Sequence, residues 1–583
     1  MRPIYNKPTT KTSKGGGSKT ALRIQNLLHS AVDLHQKGAF QEALAIYEGV
    51  LAIDAHNFEA LHLSGLIAYQ TKNANKGVEL MRAALKIAPR SVACLVNLGL
   101  AEHEVGDLPG AVKRYITALE IKKDFPQAHY NLANVYKDQR DWSAAKQSYE
   151  TAIALKPDYW EALLNFANLL ESCSEWTRAL KYLNQVLLIN PLHSKAYNNR
   201  ANVYKKIECW QDAINDYDMS IRLDCMYPDV YVNKGNLLKD FAYWDAAGAA
   251  YDRALEIEPK HPKALWNKSL LNLTLGAFSQ GWLGYEARWE RENAEALNLQ
   301  RYRSVRQTTA QQEWRGDQDI RGKRVLLYSE QGVGDSIQFV RFVAIIVSQG
   351  AIVYLMVQSP LQELFKQIKG VKLLLSMDDL VPEHDYACPL MSLPLALKLD
   401  KEEAFDKSSY LYADPVKMKN WQIRLTALGA PKVGIVWRGS ASHANDKYRS
   451  IPFEHFQNCI PRGIRCVSLQ KEMTQAEEAL FDQNSDYLDC SEYLSDFSET
   501  AALCANLDLV ICVDTSVAHL AAALGKEVWI LLPFSPDWRW MLNRRDSPWY
   551  ANVSLYRQPT WGDWVSPLQQ IKADWVAKLN TSP

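Results

Sequence analysis

The sequence predicts a chain of α + α/β class, an N-terminal α-solenoid followed by two lobes of parallel α/β structure. Two patterns predict it. Through the first half a small residue returns at one place in every 34-residue step, and through the second half short β-branched runs alternate with helical stretches. A third pattern bears on function: asparagine recurs at six positions spaced 34 residues apart. The 583 residues, 47% apolar and 23% charged, suffice for several domains with full cores. Lys plus Arg and Asp plus Glu number 66 each, which argues against nucleic acid or an anionic membrane as the main partner of the whole chain.

Residues 1–23 are basic, polar and glycine-rich without the apolar stretch of a secretory signal, so a disordered leader is expected. A 34-residue frame starting at Ile24 places Ala31, Gly65, Gly99, Ala133, Ala167, Ala201, Gly235 and Ser269 at its eighth position. Its twentieth position holds Ala43, Gly77, Ala111, Ala145, Ala179, Ala213, Ala247 and Gly281, and these two small sites are where paired helices cross closely. Four residues further on stand bulky side chains such as Tyr47, Tyr115, Tyr149, Tyr217, Tyr251 and Tyr285, and Pro89, Pro157, Pro191 and Pro259 close units. This is the tetratricopeptide signature, about eight units over 24–291, with the last unit and its Trp282 and Trp289 expected to cap the array.

The asparagines fall at the sixth position of the frame (Asn97, Asn131, Asn165, Asn199, Asn233, Asn267), with a second at the ninth in four units (Asn134, Asn168, Asn202, Asn236). Positions three apart share a helix face, and a carboxamide both donates and accepts, the pairing an extended peptide backbone needs. In tetratricopeptide arrays this part of the first helix lines the concave surface, so a bound polypeptide is the expected partner. Stacking of the asparagines on one another is the alternative. Arg200, Lys234 and Lys268 at the seventh position favour an acidic segment or simply extend from a solvated face.

A polar, arginine-rich connector is expected over 292–321, then lobes over 322–415 and 430–583 with strands at 324–329, 352–357, 432–437, 509–513 and 528–532. Ligands of such sheets sit at the carboxyl ends of strands. The first lobe offers Ser329-Glu330-Gln331-Gly332-Val333-Gly334-Asp335 ahead of an amphipathic helix ending near Gly350. It lacks the third glycine of a dinucleotide fingerprint and the GK[ST] of a P-loop. The second offers Asp514-Thr515-Ser516 with His519, a strand-to-helix turn whose amides and dipole suit a phosphate. Simple N-capping by Asp514 or Thr515 is the plainer account of part of it. Arg438, Lys447 and Arg449 lie on a loop after the strand at 432–437, cations of the kind that neutralise a phosphate, and Gln470 follows the next strand. Pro533–Trp540, rich in aromatics beside Arg539, is read as a pocket wall or as core.

No Asp-x-Asp pair is suitably placed, since Asp216–Asp218 belongs to a repeat helix and Asp317–Asp319 to the connector, so no metal is expected. Ten dispersed cysteines without CxxC suit a reducing compartment. No run of 18 apolar residues is present, so membrane insertion is not expected and the cytoplasm is the expected location.

Glu330–Asp335 together with Asp514–Gly525 resemble the paired motifs of heptosyltransferase-type glycosyltransferases over roughly 322–575. That resemblance implies a two-lobed GT-B-type domain of Rossmann-like lobes, with Asp335 as general base and Asp514, Thr515 and His519 at the phosphates of a nucleotide-sugar co-substrate; no cofactor is implied. Gly332, Gly334 and Ser516 complete the two turns. The repeat array resembles that of the O-linked N-acetylglucosamine transferases, and the whole arrangement resembles bacterial flagellin glycosyltransferases. The implied function is inverting, metal-independent transfer of a sugar to Ser or Thr of a polypeptide. A repeat scaffold with a degenerate transferase domain and a transferase acting on lipopolysaccharide or another glycan are the alternatives.

Overall fold

The computed structural model describes residues 19–290, 305–309, 312–426, 429, 431–440, 446–461, 463–483 and 486–581. Most of the expected leader, residues 292–304 of the connector and 441–445 of the loop after Trp437 lie outside the described residues. The chain divides into two compact units, Met1–Cys225 and Met226–Pro583.

The first unit holds α1 (Lys19–Gln36) through α12 (Trp210–Leu223), antiparallel pairs that repeat every 34 residues. Close crossing explains the small residues. A Cβ on Gly99 would stand 2.8 Å from the Tyr115 ring, and Ala31, Ala133, Ala145, Ala167, Ala179 and Ala201 are fully buried. The turn inside each pair needs a left-handed residue, and one stands there at every step: Gly38, Lys72, Gly106, Arg140, Ser174, Glu208, Ala242 and Gly276. Glycine takes that conformation freely; each of the others pays about 1 kcal/mol, which pair packing offsets.

The second unit begins with α13 (Pro228–Asp240), α14 (Trp244–Ile257), α15 (Pro262–Thr274) and α16 (Phe278–Tyr285). Prolines at the first turn of α13 and α15 fit, because those positions have no intrahelical N–H to lose. Helix α16 stops after eight residues, runs into a 3-10 turn at Glu286–Glu290, and sends Phe278, Trp282 and Tyr285 into the same apolar core as the sheets. The indole Nε1 of Trp282 donates to the Leu399 carbonyl at 2.8 Å. The last repeat therefore caps the array by joining the next domain's core.

Strands β1 (Arg324–Tyr328), β2 (Ile352–Val357), β3 (Val371–Ser376) and β4 (Tyr386–Pro389) form a parallel sheet in the order β3-β2-β1-β4. Strands β5 (Val433–Val436), β6 (Cys466–Ser468), β7 (Tyr487–Leu488), β8 (Leu509–Val513), β9 (Glu527–Leu532) and β10 (Val553–Arg557) form a second in the order β10-β9-β8-β5-β6-β7. Both are parallel throughout, with Val325 opposite Val353 and Ile435 opposite Ile511. Strands β1, β5, β8 and β9 are buried on both faces, hence their unbroken apolar runs. Each order reverses once, between β1 and β4 and between β5 and β8, which puts a ligand crevice at the loops after those strands. The helix expected to run on to Gly350 is interrupted: Val333–Phe339, a 3-10 turn at Val340–Phe342, then Val343–Ser348. At the break the Tyr410 hydroxyl donates to the Ile337 carbonyl at 2.9 Å, a tertiary contact on a group the helix would have used, while the buried Arg341 donates through Nε to the Gln338 carbonyl at 2.9 Å and through Nη1 to the Trp549 carbonyl.

Candidate functional site

The turn after β1 is fixed from behind. Arg288, fully buried, reaches both Glu330 oxygens through Nη2 at 2.9 and 3.0 Å, and Tyr285 Oη exchanges hydrogen bonds with the Gln331 carboxamide. Burial pushes the Glu330 carboxyl up to about 7 although Arg288 opposes it, and Met391 N donates to Glu330 Oε1 from the loop after β4. Glu330 is thus an anchor of the loop. Asp335 Oδ2 then accepts from Gly332 N at 2.8 Å, closing the first turn of Val333–Phe339.

The turn after β8 leads into the helix Ser516–Ala523. Thr515 stands at its N-cap but makes no side-chain cap bond, and its Oγ1 is buried without a partner among the described residues. Simple capping does not account for this turn. The helix presents an N-terminus to which that side chain offers no acceptor, as an anion site requires. Burial, with Asp537 nearby, pushes the Asp514 carboxyl up to about 6. His519 lies under this turn with Nδ1 2.9 Å from the Tyr550 hydroxyl and its ring stacked on Trp540; burial, with Arg539 next, holds it down to about 3. It is therefore a neutral hydrogen-bonding group and not a cation.

The two turns meet. A Cβ on Gly334 would stand 3.4 Å from Ser516 Cα and 3.4 Å from His519 Cδ2, so both helices start against each other. A residue absent from the sequence-derived site spans the junction: Arg539 pairs through Nη2 with Asp335, through Nη1 with Asp537 at 2.9 Å, and through Nε with Gln338 at 2.6 Å. Its segment was conspicuous for aromatics; its pairing had no signal in spacing.

Of the loop cations, Arg449 comes closest to the second turn, Nη1 donating to the Asp514 carbonyl at 2.8 Å while Nε meets Asp446 at 3.2 Å. Arg438 is held by Glu477 at 3.0 Å and by the Glu472 carbonyl, with its own N–H donating to Gln470 Oε1 at 3.2 Å. Lys447 is exposed, its Nζ 4.5 Å from the Tyr448 ring centroid. The structure brings Gly332, Gly334, Asp335, Asp514, Thr515, Ser516, His519 and Arg449 together, and ties Arg438 and Gln470 to each other beside β5 and β6.

The asparagines have partners inside the repeats. Ninth-position oxygens accept the tyrosine hydroxyl of the paired helix: Tyr149 to Asn134 at 2.5 Å, Tyr217 to Asn202 at 2.7 Å, Tyr251 to Asn236 at 2.8 Å. Where the ninth residue is leucine, as at Leu100, the buried Tyr115 hydroxyl has no hydrogen-bond partner among the described residues. Sixth-position carboxamides bridge to the unit before: Asn165 Nδ2 to Asn134 at 3.1 Å, Asn199 Nδ2 to Asn168 at 2.7 Å, and Asn97 Nδ2 to His62 Nε2 at 3.0 Å. Asn131 and Asn134 keep buried Nδ2 groups without partners among the described residues. In the second unit Asn233 and Asn267 are half-buried. The second asparagine is thus explained by the fold at Asn134, Asn202 and Asn236. Arg200 pairs with Asp216 at 2.7 Å and Lys268 with Asp252 at 2.7 Å, so these charges are already answered.

A cavity of about 540 Å³ lies elsewhere, against α15 and α16, lined by Lys268, Asn272, Trp289, Arg306 and Trp314 among others; none of the candidate donor residues lines it.

Tetratricopeptide family models match residues 99–140, 126–159 and 228–261, and the glycosyltransferase family 9 (heptosyltransferase) model matches 467–532, from β6 through β9 and across the Asp514 turn. The chain joins tetratricopeptide repeats to a region that matches the glycosyltransferase family 9 model. Protein FlbA of Caulobacter vibrioides is 26% identical over 331 residues, 52% of this chain and 53% of that protein. A probable UDP-N-acetylglucosamine–peptide N-acetylglucosaminyltransferase, SPINDLY of Arabidopsis thaliana, is 30% identical over 132 residues, 22% of this chain and 13% of that protein. The chain thus spans about half the length of FlbA and a smaller share of SPINDLY. Among solved structures, a tetratricopeptide repeat protein of Parabacteroides merdae is 17% identical with a TM-score of 0.36, covering 43% of this chain and 99% of that one.

Proposed function

We propose that this chain transfers a sugar from a nucleotide-sugar donor to a Ser or Thr hydroxyl of a polypeptide, with inversion and without a metal. One observation carries the transferase reading: two turns 182 residues apart in sequence meet at Gly334 and Ser516, with the Asp335 carboxylate at one and a helix N-terminus without a side-chain cap at the other. The glycosyltransferase family 9 match across the second turn supports it. The acceptor oxygen attacks the anomeric carbon as its proton passes to Asp335. The bond from that carbon to the leaving phosphate breaks, and the electron pair leaves with the nucleotide. The amides at Ser516, the dipole of its helix and Arg449 stabilise the developing negative charge.

A polypeptide acceptor is supported by the repeats and by the peptide substrate in the name of the SPINDLY relatives. Flagellin is the first candidate, from the resemblance in overall arrangement. The test is intact mass of candidate acceptors, flagellin included, co-expressed with this chain or with Asp335→Ala. A mass increment with the unaltered chain that falls at least about 100-fold in the variant, with nucleotide binding retained, is expected. Near-normal modification by Asp335→Ala would sink the base assignment; no increment on any acceptor would sink the protein-transferase reading.

A further inference from the structure

Arg539 is more completely fixed than an ion-pair partner needs to be. Its guanidinium is buried, lies with Cζ 4.3 Å from the Trp538 ring centroid, and binds a different side chain with each nitrogen, while its carbonyl accepts Trp549 Nε1 at 2.8 Å. Two of those partners, Asp335 and Gln338, stand three residues apart on the helix Val333–Phe339. Such positions share one face, so the guanidinium grips that helix at two points. The third partner, Asp537, already supplies one negative charge for the arginine's one positive. Neutralisation alone thus gives no reason for Asp335 to be there.

We propose that Arg539 is the positioning residue that holds the Asp335 carboxylate, across the boundary between the lobes, in the orientation from which it takes the acceptor's proton. The proposal rests on the transferase reading for what Asp335 does, but not for how Asp335 is held. Sharing matters chemically. A carboxylate paired one-to-one with a buried arginine is a poor base, whereas two carboxylates on one guanidinium keep a net negative charge and a fixed geometry together. The other charged or titratable groups facing the pair are Tyr285 on α16, the Arg288–Glu330 pair behind the first turn, and Asp514, His519 and Arg341 around the second.

The test needs neither donor nor acceptor. The full chain is treated with a water-soluble carbodiimide and glycine ethyl ester between pH 4 and 8, and labelling of Asp335 is read by peptide mass spectrometry. Carbodiimide takes the protonated carboxyl, so loss of the guanidinium moves half-labelling to higher pH. Arg539→Gln is expected to shift it up by about one unit or more, and Arg539→Lys by less. Asp537→Asn gives Asp335 the whole guanidinium and shifts it down. Opposite shifts are what mere structural support would not produce. Unchanged profiles in folded Arg539→Lys and Asp537→Asn chains would overturn the proposal, even if Arg539→Gln fails to fold. Where transfer is assayed, Arg539→Gln is expected to lower kcat about 100-fold with donor KM within about 2-fold. Absence of transfer by the unaltered chain would overturn the transferase reading, which the labelling result does not share.

Discussion

His519 owes its state to neighbours that lie far along the chain. Its position three residues into the helix after the Asp514 turn is written in the sequence, but its neutrality comes from burial under Trp540 and Tyr550, contributed by later loops. Its folded value, about 3, lies below the ordinary 6.5, so between those limits the unfolded chain binds a proton that the folded chain refuses. Stability contributed by the neutral ring is complete above about 6.5 and is lost as pH falls through that window. His519→Gln is expected to lose less melting temperature between pH 7 and 4.5 than the unaltered chain; an equal loss in calorimetry would count against this. Arg539 was not legible as a site residue, because an arginine among tryptophans does not say whether it faces solvent, core or a carboxylate 204 residues away. Thr515 was legible as a polar turn residue, but that its hydroxyl makes no cap bond is a matter of backbone and rotamer geometry.

At the scale of helices and strands, periodicity told most of the story. The strands expected at 352–357 and 509–513 form over those residues, and the one expected at 324–329 ends one residue sooner. The 34-residue step placed the helix pairs because only small residues can stand where two helices cross closely. It did not reveal that ninth-position asparagines tie the two helices of a pair together, since an asparagine on a helix face reads equally as a solvent or ligand group. Tyr251 and Asn236 show the tie. With Asn236→Ala the buried Tyr251 hydroxyl loses its acceptor, at a cost of about 1–3 kcal/mol, whereas Tyr251→Phe removes the need for it. In urea denaturation the double variant is expected to be less destabilised than the sum of the singles by at least about 0.5 kcal/mol. Additive losses would mean that the bond carries nothing. The helix interruption at Val340–Phe342 was likewise invisible, because Trp549, Asp406 and Tyr410, which engage Arg341 besides the Gln338 carbonyl, lie far along the chain.

At the scale of the whole molecule, the repeat pattern marked a boundary near residue 291, whereas packing divides the chain at 225/226. A chain beginning at residue 292 lacks Trp282, Tyr285 and Arg288, leaving Glu330 a buried carboxylate without its arginine and the core without three aromatics of α16. It is expected not to fold, while a chain beginning at Met226 is expected to melt cooperatively; circular dichroism melting of both decides, and a cooperative transition from residue 292 onward would refute the role given to α16. By itself the sequence determined the solenoid, the parallel lobes and the two turns that carry the candidate chemistry, because those depend on periodicity and on residue types at adjacent positions. Tertiary structure alone decided that the last repeat shares the lobes' core, that the two turns meet at Gly334 and Ser516, and that Arg539 holds Asp335. Those facts depend on which buried charges and apolar faces find each other across hundreds of residues, and desolvation makes that pairing obligatory without leaving a local pattern to read.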